Sequence, residues 1–146
     1  MSSSSEIPRP ALIYGLLGLI PFLALPLLVL AIPAQGEAWL NLLSFYGALI
    51  LSFLGGARWG LAIDRPVPSA LTLSLSMLPT LTAFAVLGLL PGQLDLQLGV
   101  LFISLILQGI WDIRSHGLPS WYPRLRTILT LVAALGLALG TGLAHG

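Results

Sequence analysis

The chain lacks cysteine and lysine and carries very few charges of any kind. Only 8% of its 146 residues are charged, and all six of its basic residues other than histidine are arginines. The absence of cysteine excludes disulfides, thiolate catalysis and cysteine-based metal sites. The net charge of +1 gives no basic surface for nucleic acid, so we expect no nucleic-acid partner.

Hydrophobic residues make up 57% of the chain, and its mean hydropathy is +1.00. A soluble domain carries about 25% charged residues. The apolar residues also continue around each predicted helix instead of keeping to one face, which is typical of helices buried in lipid. The composition therefore predicts an integral membrane protein.

Five apolar runs are each about as long as a membrane span, which needs roughly 20 residues. After a short polar tail over 1–10, they cover about 11–32, 38–64, 69–90, 95–116 and 123–143. We predict an all-α integral membrane protein, with a single five-helix transmembrane domain over 11–146. The first run exceeds the apolar region of a typical signal peptide, so we expect an uncleaved first span.

Several residues mark the predicted helix boundaries. Pro21 and Pro26 lie inside the first run and predict a kink or a local break. Ser69, Asp95 and Ser120 are the predicted N-caps of the third, fourth and fifth helices. The short links between runs make consecutive helices antiparallel neighbours.

The arginines predict the orientation in the membrane. With five spans, one side holds Arg9, Arg65, Arg114, Arg124 and Arg126, and the other holds Glu37 and Asp95. The positive-inside rule then places the N-terminus in the cytoplasm and the C-terminus outside. The residues predicted to anchor the helices at the membrane interface are Trp59, Trp111, Trp121, Tyr122, Arg124 and Arg126.

Small residues recur every four positions along the second run, at Ala48, Ser52, Gly56 and Gly60. In lipid, small residues let two helix backbones approach closely. This ladder predicts helix packing, either against another helix of the chain or against a second protein.

One polar cluster is predicted inside the bundle. Arg58 is the arginine that lies deepest inside an apolar run, and Asp112, near the same end of the fourth run, is its natural partner. Ser104 and Gln108 precede Asp112 at four-residue spacing and form one stripe with it. His116 continues this stripe, so the candidate binding residues are Arg58, Gln108, Asp112 and His116.

Three interpretations of the cluster stay open. It is an ion pair that fixes helix packing, a site for a lipid headgroup or another anionic ligand, or a proton or ion path or catalytic site. Two ligands at the spacing of Asp112 and His116 are weak evidence for a metal, so no metal or cofactor is predicted. The chain contains no HExxH, Walker or GxSxG motif.

Three segments carry a family resemblance: ILSFLGGARWGLA over Ile50–Ala62, the Gln108-x-x-x-Asp112 pair, and PSWYPRLR over Pro119–Arg126. They resemble the bacterial family catalogued as domain of unknown function 3429, which includes relatives of the mitochondrial transmembrane protein 69. The resemblance spans nearly the whole chain and implies a membrane protein. It also implies importance for these residues of the three segments: Arg58, Trp59, Gln108, Asp112, Trp121, Tyr122 and Arg126. It implies no substrate.

Together these features predict a non-enzymatic accessory or structural protein in the bacterial inner membrane. Its partners would be the lipid bilayer and either another integral membrane protein or further copies of the chain. The alternative is a small transporter or channel, or a lipid-binding protein, that uses a polar cluster around Arg58 and Asp112.

Overall fold

The computed structural model describes residues 5–146, which form five long helices. The helices are α1 (Arg9–Ala31), α2 (Gly36–Ile63), α3 (Ala70–Leu89), α4 (Leu94–Ile113) and α5 (Tyr122–His145), and a short 3₁₀ turn over Pro33–Gln35 precedes α2. Each helix is long and apolar enough to cross a membrane. The prediction of an all-α bundle of five membrane-spanning helices is confirmed.

One of the three predicted N-caps is confirmed, that of α3. The Ser69 side chain accepts a hydrogen bond from the backbone N–H of Thr72 at 3.3 Å, which satisfies one free donor at the start of α3. The predicted caps Asp95 and Ser120 are wrong, because Gln93 and Trp121 occupy the N-cap positions of α4 and α5. Asp95 instead lies in the first turn of α4, where a carboxylate favours the positive end of the helix dipole.

The end of α4 also differs from the prediction. The helix ends at Ile113, and the link to α5 contains Gly117 with a backbone φ of +83°. Glycine adopts this left-handed conformation without steric cost. His116 therefore lies in the link between the helices and does not continue the stripe of α4.

α1 is one uninterrupted helix despite Pro21 and Pro26, so the expected local break is absent. Pro26 has no N–H to donate to the carbonyl of Phe22, four residues earlier. Gly136 of α5 packs directly on that carbonyl, and a Cβ atom on Gly136 would overlap its oxygen. The missing side chain of Gly136 thus lets the backbones of α1 and α5 meet at the carbonyl that Pro26 leaves without a helical partner.

α2 is the central helix, since it contacts all four other helices. The core around it consists mainly of leucines that are almost fully buried: Leu43, Leu51, Leu98, Leu101, Leu105 and Leu137, together with Phe22. α3 packs closely on α2, whereas its contact with α4 is much less extensive.

The predicted small-residue ladder of α2 has two parts. Ala48 is buried, and the Ser52 hydroxyl forms a 2.9 Å hydrogen bond with the hydroxyl of Thr80 on α3. Gly56 and Gly60 have no atom within 4 Å of an added Cβ, so they lie on the outer surface of the bundle. The close contact with α3 is made instead by Gly55, where an added Cβ would lie 2.7 Å from the backbone oxygen of Ser76.

Candidate functional site: a buried aspartate between two arginines

Asp112 of α4 is the centre of a buried polar cluster. Nε of Arg126 donates a hydrogen bond to its Oδ2 at 2.9 Å, and Nε2 of Gln108 donates to its Oδ1 at 3.3 Å. Nε of Arg58 lies 3.7 Å from Oδ1, within ion-pair distance but beyond a hydrogen bond. Only 2% of Asp112 is exposed. The side chains around its carboxylate come from three helices: α2, α4 and α5.

The helix lengths bring these residues to the same end of the bundle. Arg58 lies in the last turns of α2, Asp112 in the last turn of α4, and Arg126 in the second turn of α5. Because α4 and α5 are antiparallel neighbours, the end of one meets the start of the other. The cluster therefore joins α2, α4 and α5 at one level.

The cluster carries more positive than negative charge. Arg58 and Arg126 share the single carboxylate of Asp112, which leaves one unit of positive charge uncompensated. Within the described chain, Nε of Arg58 and Nη2 of Arg126 are buried without a hydrogen-bond partner. Charge inside a membrane is costly unless it is paired or reaches the interface.

Trp111 compensates part of this cost for Arg58. The guanidinium carbon of Arg58 lies 4.4 Å from the centroid of the Trp111 ring. A cation over an aromatic face at this distance is stabilised by about 0.5–2 kcal/mol, more when water is excluded. Trp111 is also a predicted interface anchor, and that role stays a prediction; its ring packs on Arg58.

Arg126 is the main correction to the predicted site. The sequence places it with Arg124 among the interface anchors, whereas the structure buries it, with 4% of the residue exposed. The buried face of α5 continues from Arg126 through Thr130, Ala133, Leu137 and Gly140. This alternating three- and four-residue spacing places Arg126 on the same helix face as the small residues of α5. It is the sequence signal from which the burial of Arg126 could have been predicted.

The other predicted anchors lie at or near the surface. Arg124 is exposed, and its Nη1 donates to the backbone oxygen of Ser5 at 3.2 Å. The half-buried rings of Trp121 and Tyr122 pack edge to face, with centroids 6.1 Å apart. Trp59 is 40% exposed. Their role as interface anchors stays a prediction.

His116 faces a cleft beside the cluster. The cleft has a volume of about 670 Å³ and lies where the end of α2 and the two links at this end of the bundle meet. We call it the arginine cleft; its polar lining residues are Arg58, Asp64, Arg65, Ser69, Thr72 and His116. Arg58 is thus the residue that connects the buried cluster to an open cavity.

Within residues 5–146, no three histidine, cysteine, aspartate or glutamate side chains lie together as metal ligands would. The groups that meet at Asp112 are guanidinium and amide donors, and these suit an anion better than a cation.

The match to known proteins covers almost the whole bundle. Residues 7–142 match the family described as "Protein of unknown function (DUF3429)". The chain belongs to this family. The match includes all five helices except the last residues of α5, and it contains every residue of the Asp112 cluster.

Two curated relatives of the chain are named transmembrane protein 69. The protein from Xenopus tropicalis is 38% identical over 141 residues, which cover 90% of this chain and 53% of the relative. The protein from Mus musculus is 35% identical over 143 residues, covering 92% of this chain and 56% of the relative. The chain therefore spans about half the length of these curated relatives. No solved structure matches it.

Proposed function

We propose that this DUF3429 chain is a non-enzymatic accessory protein that associates with a transmembrane helix of another integral membrane protein. The observation that carries the proposal is the open glycine surface of α2. Gly56 and Gly60 lie one turn apart on the outside of the bundle with free space above both Cα atoms. A second helix could approach the backbone of α2 closely there, and dispersion and weak hydrogen bonds would hold it.

The shape of this surface favours a different protein over a second copy. Phe53 lies about one turn from Gly56 on the same side of α2 and is 71% exposed. In a two-fold pair of parallel helices, equivalent residues meet. The Phe53 side chains of two copies would therefore meet beside the glycines and hold the two backbones apart. A partner helix with small residues opposite Phe53 avoids this clash.

The donors around Asp112 support the non-enzymatic part of the proposal. Arg126 and Gln108 hydrogen-bond its two carboxylate oxygens, and Arg58 lies against one of them. A carboxylate surrounded in this way has little freedom to act on a substrate as a base or nucleophile.

Transport is supported less well than association. Between the Asp112 cluster and the buried hydrogen bond of Ser44 to Gln97 lie Leu51, Leu101 and Leu105, each no more than 2% exposed. This apolar layer separates the two polar regions of the core. A continuous path for an ion or proton would need polar groups or water through it.

The association predicts a selective effect of bulk at the glycine surface. Gly60→Leu, alone or with Gly56→Leu, should remove a partner that otherwise remains bound when the protein is gently extracted and weighed by native mass spectrometry. Gly88→Leu is the matched control, because Gly88 of α3 is also exposed with no atom within 4 Å of an added Cβ. The control should keep the partner, and all three variants should unfold like the parent.

Two results would contradict the accessory proposal. One is a parent protein that is only a monomer or a homodimer under extraction conditions that preserve other membrane complexes. The other is a partner that stays bound in the Gly56→Leu and Gly60→Leu double variant.

We also propose that the protein lies in the bacterial inner membrane with its N-terminus in the cytoplasm. The five apolar helices and the relatives named transmembrane protein 69 support a multi-pass membrane protein, and the clustering of arginines at one end of the bundle supports the orientation. Because the chain has no cysteine, a single introduced cysteine reports one position. In intact cells, a membrane-impermeant thiol reagent should label Gln93→Cys but not Ser69→Cys, and the opposite pattern would reverse the orientation.

A further inference from the structure

A second concavity lies next to the arginine cleft, on the side of the bundle where α3 and α4 separate. This groove has a volume of about 260 Å³. It is lined mainly by apolar side chains of α3 and α4, and its polar lining residues are Thr82 of α3 and Ser104 and Gln108 of α4. We call it the α3–α4 groove.

The cleft and the groove adjoin each other at Arg58 and Trp111. Trp111 lines the groove, and its ring packs on the Arg58 guanidinium, which lines the arginine cleft. On α3, Thr72 lines the cleft and Leu75, almost one turn further along, lines the groove. A molecule that occupied both would have a polar group at the end of the bundle and an apolar part along the hydrocarbon-facing side.

The polar end of this combined site favours an anion. Arg58 and Arg65 line the cleft together with one carboxylate, Asp64. Asp112 does not neutralise Arg58 fully, since it is shared with Arg126 and the Arg58 Nε forms no hydrogen bond. Guanidinium groups bind phosphate oxygens through charge-assisted hydrogen bonds, and the hydroxyls of Ser69 and Thr72 add further polar groups beside them.

We propose that the arginine cleft and the α3–α4 groove together bind one anionic phospholipid. Its phosphate lies in the cleft beside Arg58 and Arg65, and one acyl chain lies in the groove against Leu75, Leu78 and Leu107. A lipid with no net charge is bound less well, because its cationic headgroup would lie in the same positively charged cleft. This site is separate from the glycine surface of α2, and the proposal does not depend on the association described above.

The headgroup part of the proposal is tested by native mass spectrometry of the delipidated full chain. The protein is titrated with phosphatidylglycerol and with phosphatidylcholine that has the same acyl chains. We expect phosphatidylglycerol to bind about tenfold more tightly or better, because both lipids offer the same phosphate but only phosphatidylcholine brings a quaternary ammonium group into the cleft beside Arg58 and Arg65. Arg58→Gln should remove most of this preference, and Arg124→Gln, at an exposed arginine outside the cleft, should retain it.

Arg65→Gln tests the headgroup independently of the buried cluster. Arg65 is exposed in the link after α2, so its replacement leaves the Asp112 cluster intact even if Arg58→Gln fails to fold. A several-fold loss of the preference for phosphatidylglycerol in this variant supports the site. An unchanged preference in Arg65→Gln and in folded Arg58→Gln overturns it.

The acyl-chain part is tested by filling the groove. Ser104→Phe places a bulky ring in the α3–α4 groove and should weaken the binding of both lipids at least several-fold. Ile103→Phe is the matched control, since Ile103 is the adjacent residue of α4 and is 59% exposed outside the groove. Equal lipid binding by the two phenylalanine variants would overturn the placement of the chain.

Inorganic phosphate distinguishes a lipid from a free anion. A large excess of inorganic phosphate should leave phosphatidylglycerol bound, because phosphate alone cannot occupy the apolar groove. Displacement of the lipid by inorganic phosphate, together with no effect of Ser104→Phe, would show a free-phosphate site and overturn the proposal.

Discussion

Replacing Asp112 by leucine should lower the free energy of unfolding by about 3–5 kcal/mol, the usual cost of removing one partner from a buried ion cluster. The variant leaves the guanidinium groups of Arg58 and Arg126 without a counter-ion, and Arg126 is almost fully buried. Leucine also gives Gln108 no acceptor in place of Oδ1. The loss should appear as a lower unfolding temperature and an unfolding transition at lower denaturant in detergent or bicelles.

Asp95→Leu provides the matched control for this result. Asp95 lies at the other end of the same helix, and its contact with His145 at 3.6 Å joins a histidine side chain that is 73% exposed to a carboxylate that is 41% exposed. Exposed ion pairs and first-turn carboxylates contribute under about 1 kcal/mol each. Equal destabilisation by Asp95→Leu and Asp112→Leu would mean that the Asp112 cluster has no special role in holding the bundle together.

Gly136→Ala should destabilise the protein by about 1–3 kcal/mol, the range for inserting a methyl group into a filled contact. The added Cβ would overlap the backbone oxygen of Phe22, and backbone atoms cannot move aside as a flexible side chain can. α5 must therefore move away from α1. This destabilisation is the opposite of the usual result, because replacing glycine by alanine at an open helix position stabilises a protein by up to about 1 kcal/mol.

Two other glycines of α5 provide the comparison. Gly142 has no atom within 4 Å of an added Cβ, so Gly142→Ala should leave the stability unchanged or raise it. At Gly140 the nearest atom to an added Cβ is the end of the Leu43 side chain, at 2.5 Å, and Gly140→Ala should have an intermediate effect. If Gly136→Ala proved as stable as Gly142→Ala, the close contact of α5 with the Phe22 carbonyl would be wrong.

The number and approximate positions of the helices could be predicted from the sequence because a bilayer demands long apolar segments with charged or turn-forming links. The faces of the helices were harder to predict. Lipid is as apolar as the interior of the bundle, so hydropathy does not distinguish inward from outward positions. Gly55 and Gly56 illustrate this: the four-residue ladder selected Gly56, whereas packing on α3 uses its neighbour.

The candidate site was likewise predictable only in part. Charge and four-residue spacing predict that Arg58, Gln108 and Asp112 lie together, and the structure places them in contact or nearly so. The sequence predicts an interface position for Arg126, because it lies two residues from Arg124 in a basic segment next to aromatic residues. Two positions on a helix differ by about 200° in direction, so one faces the surface and the other faces Asp112.

A double-mutant cycle on Asp112 and Arg126 tests most directly whether the buried cluster holds α4 to α5. The unfolding free energies of Asp112→Leu, Arg126→Met and the double variant are compared with that of the parent protein. We predict a coupling energy of at least about 2 kcal/mol, with the double variant clearly more stable than the sum of the two losses implies. Additive losses, with a coupling energy near zero, would contradict the account that Asp112 and Arg126 form a buried ion pair.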